Sequence, residues 1–402
     1  MDNLPTSDSA APAAGRTLRV AVSCGGTGGH MFPGLAVAAE LRRRGHRVAV
    51  ILSGRAVEAD RAKADLPEGA EPILVPVDPV SPRRPKSLLK LWGACRAAKR
   101  ELRAFRPDAL LAMGSYTSIA PVFAARSLGV PVVLHEANAI PGAAVAHLAR
   151  FAATVCVCFP DMEGFFPRRV RLADTGLPLR AEFAKGIGGS KADPAKLSLL
   201  VMGGSQGARD LNRGVVRAFS EALAAGGRAG LPDRIVHLAG TRNEDEVRAL
   251  WDASGLREAG VEVEVVGFEH DMARRYAEAN LCVSRAGASS CFELALAGLP
   301  AILVPLPGLA RDHQTRNADS MLLRGAAQTF PQKDLLDAEG RKRFVADVAF
   351  LGGRIDAKCV PGVLPGIAGT AVADLRAAAL EAARPDAAAL VADEVERAGS
   401  GR

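Results

Sequence analysis

Aromatic residues are scarce. Phenylalanine, tryptophan and tyrosine make up 4% of the 402 residues, with only two tryptophans and two tyrosines. A carbohydrate or nucleic-acid surface built from stacked rings therefore has little material to draw on. Cysteine is also sparse, seven in all, with no Cys-x-x-Cys pair. That spacing argues against a zinc ribbon or a dithiol redox centre, and the odd number against a complete disulfide framework. Buried free thiols in a reducing compartment are expected. Cys156 and Cys158 alternate within the apolar run 154–159, which places both on one side of a strand. No apolar run approaches the ~20 residues needed to cross a bilayer. The first 16 residues are rich in Ala, Pro and Ser and lack the basic start and apolar centre of a secretory signal. Residues 1–17 are expected to be a disordered tail, and the chain soluble or peripheral.

What is present is a large potential core. Hydrophobic residues reach 49% and charged residues 24%, and the length suits two α/β domains. The formal net charge of +7 favours an acidic partner such as anionic lipid, a phosphorylated substrate or nucleic acid. From Leu18 onward, strand, loop and helix alternate. Apolar runs at 18–23, 48–52, 109–113, 130–135 and 154–158 read as strands, and 33–44 as a helix. Around residues 179–196 Gly, Pro, Lys and Ser take over, as in a linker. The rhythm then restarts, with strands expected at 197–202, 235–239, 261–266, 281–283 and 301–304. Two nucleotide-fold units in tandem follow, at 18–178 and 197–370, each a parallel sheet with helices. Residues 371–402 read as a helical segment interrupted at Pro385, able to pack back on the N-terminal unit.

Each unit opens with a strand that runs into a glycine-rich turn: Gly25-Gly-Thr-Gly-Gly29 and Gly203-Gly-Ser-Gln-Gly207. Such a loop offers free backbone N–H groups and the positive end of a helix dipole, and glycine lets a phosphate approach the backbone. Neither loop is a Gly-x-Gly-x-x-Gly dinucleotide fingerprint, and neither is a Gly-Lys-Ser/Thr phosphate loop. Either alone is a weak signal. Two at matching places point to one cleft between facing domains, because ligands of open α/β sheets sit at the carboxyl ends of the strands. His30 follows the first loop directly. Glu293 falls in the first turns of a helix after Ser284-Arg-Ala-Gly287. There it is either a dipole partner or a carboxylate that grips a ribose diol. The polar run Asp312-His-Gln-Thr-Arg-Asn317 has the loop placement of site residues.

Taken together, Gly25-Gly-Thr-Gly-Gly-His30, His135-Glu-Ala-Asn138, Gly203-Gly-Ser-Gln-Gly-Ala208, Ser284-Arg-Ala-Gly287 through Glu293, and Asp312-His-Gln314 through Asn317 resemble glycosyltransferase family 28. More narrowly, they resemble its N-acetylglucosaminyltransferases of peptidoglycan synthesis, which serve cell-wall growth, shape and division. The match covers roughly residues 18–330. It implies the GT-B architecture, two Rossmann-like domains with the site between them. It implies UDP-N-acetylglucosamine as donor and undecaprenyl-diphosphate-linked N-acetylmuramyl-pentapeptide as acceptor, with inversion at the anomeric carbon. Neither a cofactor nor an obligatory metal is implied, and the bare sequence has no Asp-x-Asp metal motif.

Residue by residue, the resemblance places Thr27, Gly28 and Gly29 near sugar and diphosphate. It places His30 and Asn138 beside the reacting sugars, with His30 the candidate base. Arg180, Ser205 and Gln206 fall on the donor diphosphate or sugar, and Phe268 beside the uracil. Ala288, Ser289, Ser290 and Glu293 fall on the nucleoside, with Glu293 on the ribose. Gln314 and Asn317 fall on the N-acetylglucosamine hydroxyls.

The chain departs from the family pattern in three places. Ser115 stands where a second glycine is usual in the acceptor-side loop, Ala143–Ala146 replaces polar residues, and residues 340–368 form a longer tail. Arg83, Arg84, Lys86 and Lys90 surround Leu88, Leu89, Leu91 and Trp92. Such a stretch fits docking on an anionic membrane, here the cytoplasmic face, unless the apolar side chains face the core. No nucleic-acid partner is expected. Other GT-B transferases, a UDP-N-acetylglucosamine 2-epimerase, a dinucleotide-dependent oxidoreductase and an inactive scaffold are the competing readings.

Overall fold

The computed structural model describes residues 16–26, 28–53, 65–77, 85–180, 183, 191–204, 207–354 and 372–401. It contains two parallel sheets. The first has seven strands in the order β3-β2-β1-β4-β5-β6-β7. These are β1 (Arg19–Ser23), β2 (Arg47–Leu52), β3 (Glu71–Leu74), β4 (Ala109–Ala112), β5 (Val132–Glu136), β6 (Thr154–Val157) and β7 (Arg171–Asp174). The second has six, in the order β10-β9-β8-β11-β12-β13. These are β8 (Ser198–Met202), β9 (Arg234–Leu238), β10 (Glu262–Val266), β11 (Leu281–Ser284), β12 (Ala301–Leu303) and β13 (Gln328–Thr329).

Parallel strands are covered on both faces, so they read as unbroken apolar runs. β1, β2, β4 and β5 do, and almost all of their residues are buried. The first helix, α1, spans Gly28–Arg43. It begins five residues before the start read from the sequence. Pro33 resembles a first-turn proline, but the two glycines and His30 already carry the first turn. Gly34 lies where α1 crosses β1, and a Cβ there would collide with the Cys24 side chain.

The N-terminal unit continues with α2 (Pro85–Phe105), α3 (Ile119–Ser127) and α4 (Ala143–Leu148). The C-terminal unit carries α5 (Arg209–Gly226), α6 (Glu244–Asp252), α7 (Met272–Ala277), α8 (Ala288–Ala297), α9 (His313–Leu323) and α10 (Ala338–Leu351). Its core holds an aromatic cluster in which Phe219 packs on Trp251 and Phe344, and Phe344 on Phe330, with centroids 5.3–6.5 Å apart.

Two further helices, α11 (Val372–Ala382) and α12 (Ala387–Ser400), end the described chain. Helix α12 returns to the N-terminal unit. There Val391, Ala392 and Val395 are fully buried with Leu18, Val20, Val22 and Leu41. Charged contacts fix its register. Arg171 pairs with Glu394, Arg44 with Asp393 at 2.6 Å, and His46 Nε2 lies 2.8 Å from Glu396. The Leu18 N–H donates to His46 Nδ1, which leaves Nε2–H as the donor to Glu396. The six described cysteines are free thiols, and five of them are buried.

Candidate active site

In each sheet the strand order reverses direction beside the opening strand, between β1 and β4 and between β8 and β11. Both glycine-rich loops leave the carboxyl ends of those strands, which are the switch points where α/β sheets bind ligands. In the first loop Gly26 has φ 118°, a value that excludes most side chains. Thr27, Ser205 and Gln206 lie outside the described residues, as do Arg83, Arg84 and the Lys86 side chain.

His30 sits in the first turn of α1, half-buried, with its ring against Gly114 in the loop after β4. Burial disfavours the protonated imidazole and lowers its pKa to about 4, so the ring is neutral at pH 7. Gly28 and Gly29 precede it with first-turn N–H groups that no helical carbonyl can reach. Ser115, beside Gly114, has φ 66° and ψ 164°, a region that is essentially glycine's alone. Its Oγ points at Gly26, 2.9 Å from where a Cβ on that glycine would lie. The departure noted in the sequence is therefore a residue with a strained backbone whose side chain lies between the two N-terminal loops.

The segment after β5 makes contact with the C-terminal unit. Glu136 is buried and accepts from the Asn138 N–H (3.0 Å), the Asn138 side-chain amide (3.1 Å) and the Gly142 N–H (2.8 Å). Burial pushes its pKa up while these N–H groups pull it back. The Asn138 Oδ1, oriented in this way, accepts from Asn317 Nδ2 of α9 at 3.2 Å. Asn317 Oδ1 in turn accepts from the Ala139 N–H at 2.8 Å, and its Nδ2 also donates to the Ala286 carbonyl at 3.0 Å. Asn317 is 0% exposed. Arg311 adds a third bridge, its Nη1 donating to the Pro141 carbonyl at 2.7 Å. Arg311 and Asp312 are consecutive non-glycine residues with positive φ, 61° and 51°. Each such residue costs about 1 kcal/mol or more, so the turn is held under strain beside the cleft.

In the C-terminal unit, Gly287 precedes α8, and Ala288, Ser289 and Ser290 form its first turn, whose N–H groups have no helical carbonyl to donate to. Glu293 follows one turn on, and its Oε2 accepts from the Tyr276 hydroxyl at 2.8 Å. Gln314 Oε1 accepts from the Leu306 N–H at 2.9 Å, which turns the amide NH2 outward. The Arg180 guanidinium lies between the rings of Phe32 (5.2 Å) and Phe183 (5.3 Å), so it is gripped from both units. Phe268 is exposed and meets His270 edge-on at 4.8 Å. Its loop is anchored where Glu269 accepts from Arg275 Nε at 2.6 Å.

Among the residues expected at the site, Asn138 and Asn317 are in direct contact, Gly28, Gly29 and His30 share the first turn of α1, and Ala288–Ser290 and Glu293 share α8. Tyr276, Glu136, Arg285 and Arg311 had no assigned role in the sequence. Arg285 is buried at the end of β11, donates to the Val304 carbonyl, and has its pKa lowered to about 10 by burial. Its place inside the quoted Ser284-Arg-Ala-Gly motif was the available signal. For Tyr276 there was none, because its partner is 17 residues away on another helix.

Two Rossmann-like units, each with a glycine-rich loop at the switch point of its parallel sheet, are the architecture of a GT-B glycosyltransferase. The model of the glycosyltransferase family 28 N-terminal domain matches residues 20–157, and that of its C-terminal domain matches residues 198–341. The chain belongs to glycosyltransferase family 28.

Among its relatives is the UDP-N-acetylglucosamine–N-acetylmuramyl-(pentapeptide) pyrophosphoryl-undecaprenol N-acetylglucosamine transferase of Pseudomonas paraeruginosa, 40% identical over 326 residues. These cover 80% of this chain and 87% of that protein. The protein of the same name from Nitratidesulfovibrio vulgaris is 36% identical across 96% of this chain and 98% of its own. The crystal structure of Acinetobacter baumannii MurG superposes with a TM-score of 0.71 at 27% identity, over 94% of this chain and 99% of that one. A UDP-N-acetylglucosamine 2-epimerase from Neisseria meningitidis shares the fold at 11% identity and TM-score 0.59, over 94% of this chain and 100% of that one.

Proposed function

We propose that the protein transfers N-acetylglucosamine from UDP-N-acetylglucosamine to the 4-hydroxyl of the N-acetylmuramyl unit of undecaprenyl-diphosphate-linked muramyl-pentapeptide. The reaction inverts the anomeric carbon. The observation that carries this reading is the contact between the units, where Asn138 Oδ1 accepts from Asn317 Nδ2 at 3.2 Å, with His30 in the first turn of α1 and Glu293 on α8. Relatives that span nearly the whole chain bear the name of this activity.

His30 takes the acceptor proton as the oxygen attacks the anomeric carbon from the face opposite the leaving diphosphate, so no covalent enzyme intermediate forms. The departing diphosphate is met by the first-turn N–H groups of Ala288–Ser290 and by Arg180. Glu293 holds the ribose, Phe268 lies beside the uracil, and the outward amide of Gln314 addresses the sugar hydroxyls. Asn138 and Asn317 close the cleft over the same sugar. No step uses a metal.

The acceptor's lipid requires a membrane face, and α2 supplies one. Leu88, Leu89 and Trp92 are 51%, 71% and 62% exposed, so they do not belong to the core. The Arg96 guanidinium stacks 4.7 Å from the Trp92 ring, and Arg100 and Arg103 continue the basic groove. Leu91 is turned partly into the N-terminal core, which sets it apart from its neighbours. An apolar ridge ringed by cations suits anionic headgroups, with Lys90 among them. No helix among the described residues is long and apolar enough to cross a membrane. We infer peripheral docking, at the cytoplasmic face, from the exposed ridge of α2.

The test is incubation with labelled UDP-N-acetylglucosamine and a soluble analogue of the lipid-linked acceptor, for the wild type and Glu293→Ala. Transfer that collapses in the variant supports the reading. A wild type that binds donor yet leaves the analogue unchanged sends the acceptor assignment elsewhere.

A further inference from the structure

We propose that Tyr276 is a positioning residue for the donor: its hydroxyl fixes the Glu293 carboxylate in the orientation that receives the two ribose hydroxyls. The inference rests on the reading that Glu293 holds the ribose. Tyr276 lies on α7, is 2% exposed, and packs in the C-terminal core with its ring 6.0 Å from that of Phe183. Its oxygen has two neighbours, Glu293 Oε2 at 2.8 Å and Met202 Sδ at 3.7 Å. A phenol has one proton to give, and an ionised carboxylate is a far stronger acceptor than a thioether. The proton therefore goes to Glu293.

Burial and the adjacent carboxylate push the phenol well above its ordinary range, so it stays a donor throughout any working pH. Glu293 is half-buried on a helix face, and a glutamate side chain has three rotatable bonds. A diol grip needs both carboxylate oxygens in one plane facing the hydroxyls. The phenol occupies one lone pair of Oε2 from behind and so selects that plane before the donor arrives. The cost of ordering the side chain is met in folding rather than in binding. In this proposal Tyr276 acts on the donor only through Glu293.

The experiment measures affinity of the full-length chain for UDP and for 2′,3′-dideoxy-UDP, in the wild type, Glu293→Ala and Tyr276→Phe. The phenylalanine keeps the ring in the core and removes only the hydroxyl. The wild type should prefer UDP, and Glu293→Ala should erase that preference. Tyr276→Phe should reduce it by roughly three- to tenfold, the scale of one ordered side chain, while leaving the dideoxy affinity unchanged.

Equal loss of both affinities in Tyr276→Phe would mark a merely structural residue and overturn the proposal, as would wild-type affinity for both. If Glu293→Ala keeps the full UDP preference, the ribose reading itself fails, and the tyrosine proposal falls with it by a separate observation. A second readout does not depend on the variant folding. The chain has two tyrosines, Tyr116 and Tyr276, so replacing tyrosine with 3-fluorotyrosine gives two fluorine resonances, assigned with Tyr116→Phe. The Tyr276 signal should move on adding UDP and stay in place with the dideoxy analogue. Identical shifts with both ligands would contradict the proposal.

Discussion

Replacing Asn317 separates closure of the two units from donor binding. Its buried amide makes three hydrogen bonds: two reach the N-terminal unit, at Ala139 and Asn138, and one stays within its own unit, at Ala286. Each is worth about 1 kcal/mol net, so Asn317→Ala removes about 2 kcal/mol from the contact between the units, a factor of roughly 30 in the closed population. It also leaves the Ala286 carbonyl unpaired, which lowers the melting temperature of the C-terminal unit.

Asn317→Asp should be worse than alanine. It puts an acceptor opposite Asn138 Oδ1 and the Ala286 carbonyl, where a donor is required. The assay is kcat/KM for a soluble acceptor analogue alongside affinity for UDP and for UDP-N-acetylglucosamine. Transfer should fall by about tenfold or more in both variants while UDP affinity holds. Full activity in Asn317→Asp would refute the bridging role. A lost preference for UDP-N-acetylglucosamine over UDP would show instead that Asn317 acts chiefly on the sugar hydroxyls.

Three other outcomes are expected. His237 is buried, accepts from the Trp251 indole at Nδ1 and donates from Nε2 to Asn212, and burial lowers its pKa to about 3. Between that value and about 6.5 the unfolded chain binds the extra proton, so stability is complete above pH 6.5 and falls on acidification. Denaturation at pH 6.5 and 5.5 should show the wild type losing about 1 kcal/mol more than His237→Gln, and equal losses would contradict this. Ser115→Gly relieves a glycine-only conformation, so the melting temperature should rise by a few degrees and acceptor KM should fall; a lower melting temperature would rule out the strain. Leu89→Glu with Trp92→Glu should weaken binding to phosphatidylglycerol vesicles by about tenfold or more while sparing transfer to a water-soluble acceptor. Unchanged vesicle binding would place the membrane contact on another face.

Much of the fold is legible because parallel strands leave apolar runs: Arg47–Leu52 and Ala109–Ala112 could be read directly. Three strands escaped. Glu71–Leu74 and Arg171–Asp174 are edge strands with polar, exposed residues, and Gln328–Thr329 is too short to carry a pattern. Helix α8 and its Glu293 were visible because the glycine, the first turn and the carboxylate are local. The bonds that set the geometry of the site were not. Asn138 and Asn317 are 179 positions apart, and Arg311 and Pro141 are 170. No periodicity encodes a contact between two folded units. Glu136 stood in plain view inside His135-Glu-Ala-Asn138, but its role depends on a turn that brings the Gly142 N–H back to it. The cost of Ser115 likewise needed a backbone angle, since serine itself is unremarkable in a loop.

The central claim is that the cleft passes N-acetylglucosamine from donor to acceptor rather than altering the donor alone. The most direct measurement is NMR of the products formed from UDP-N-acetylglucosamine and a soluble analogue of the lipid-linked muramyl-pentapeptide, in the presence of EDTA. The account predicts a β-1,4-linked disaccharide, with UDP released only when the acceptor is consumed. Free N-acetylglucosamine, or a donor epimerised at C2 with the acceptor untouched, would contradict it.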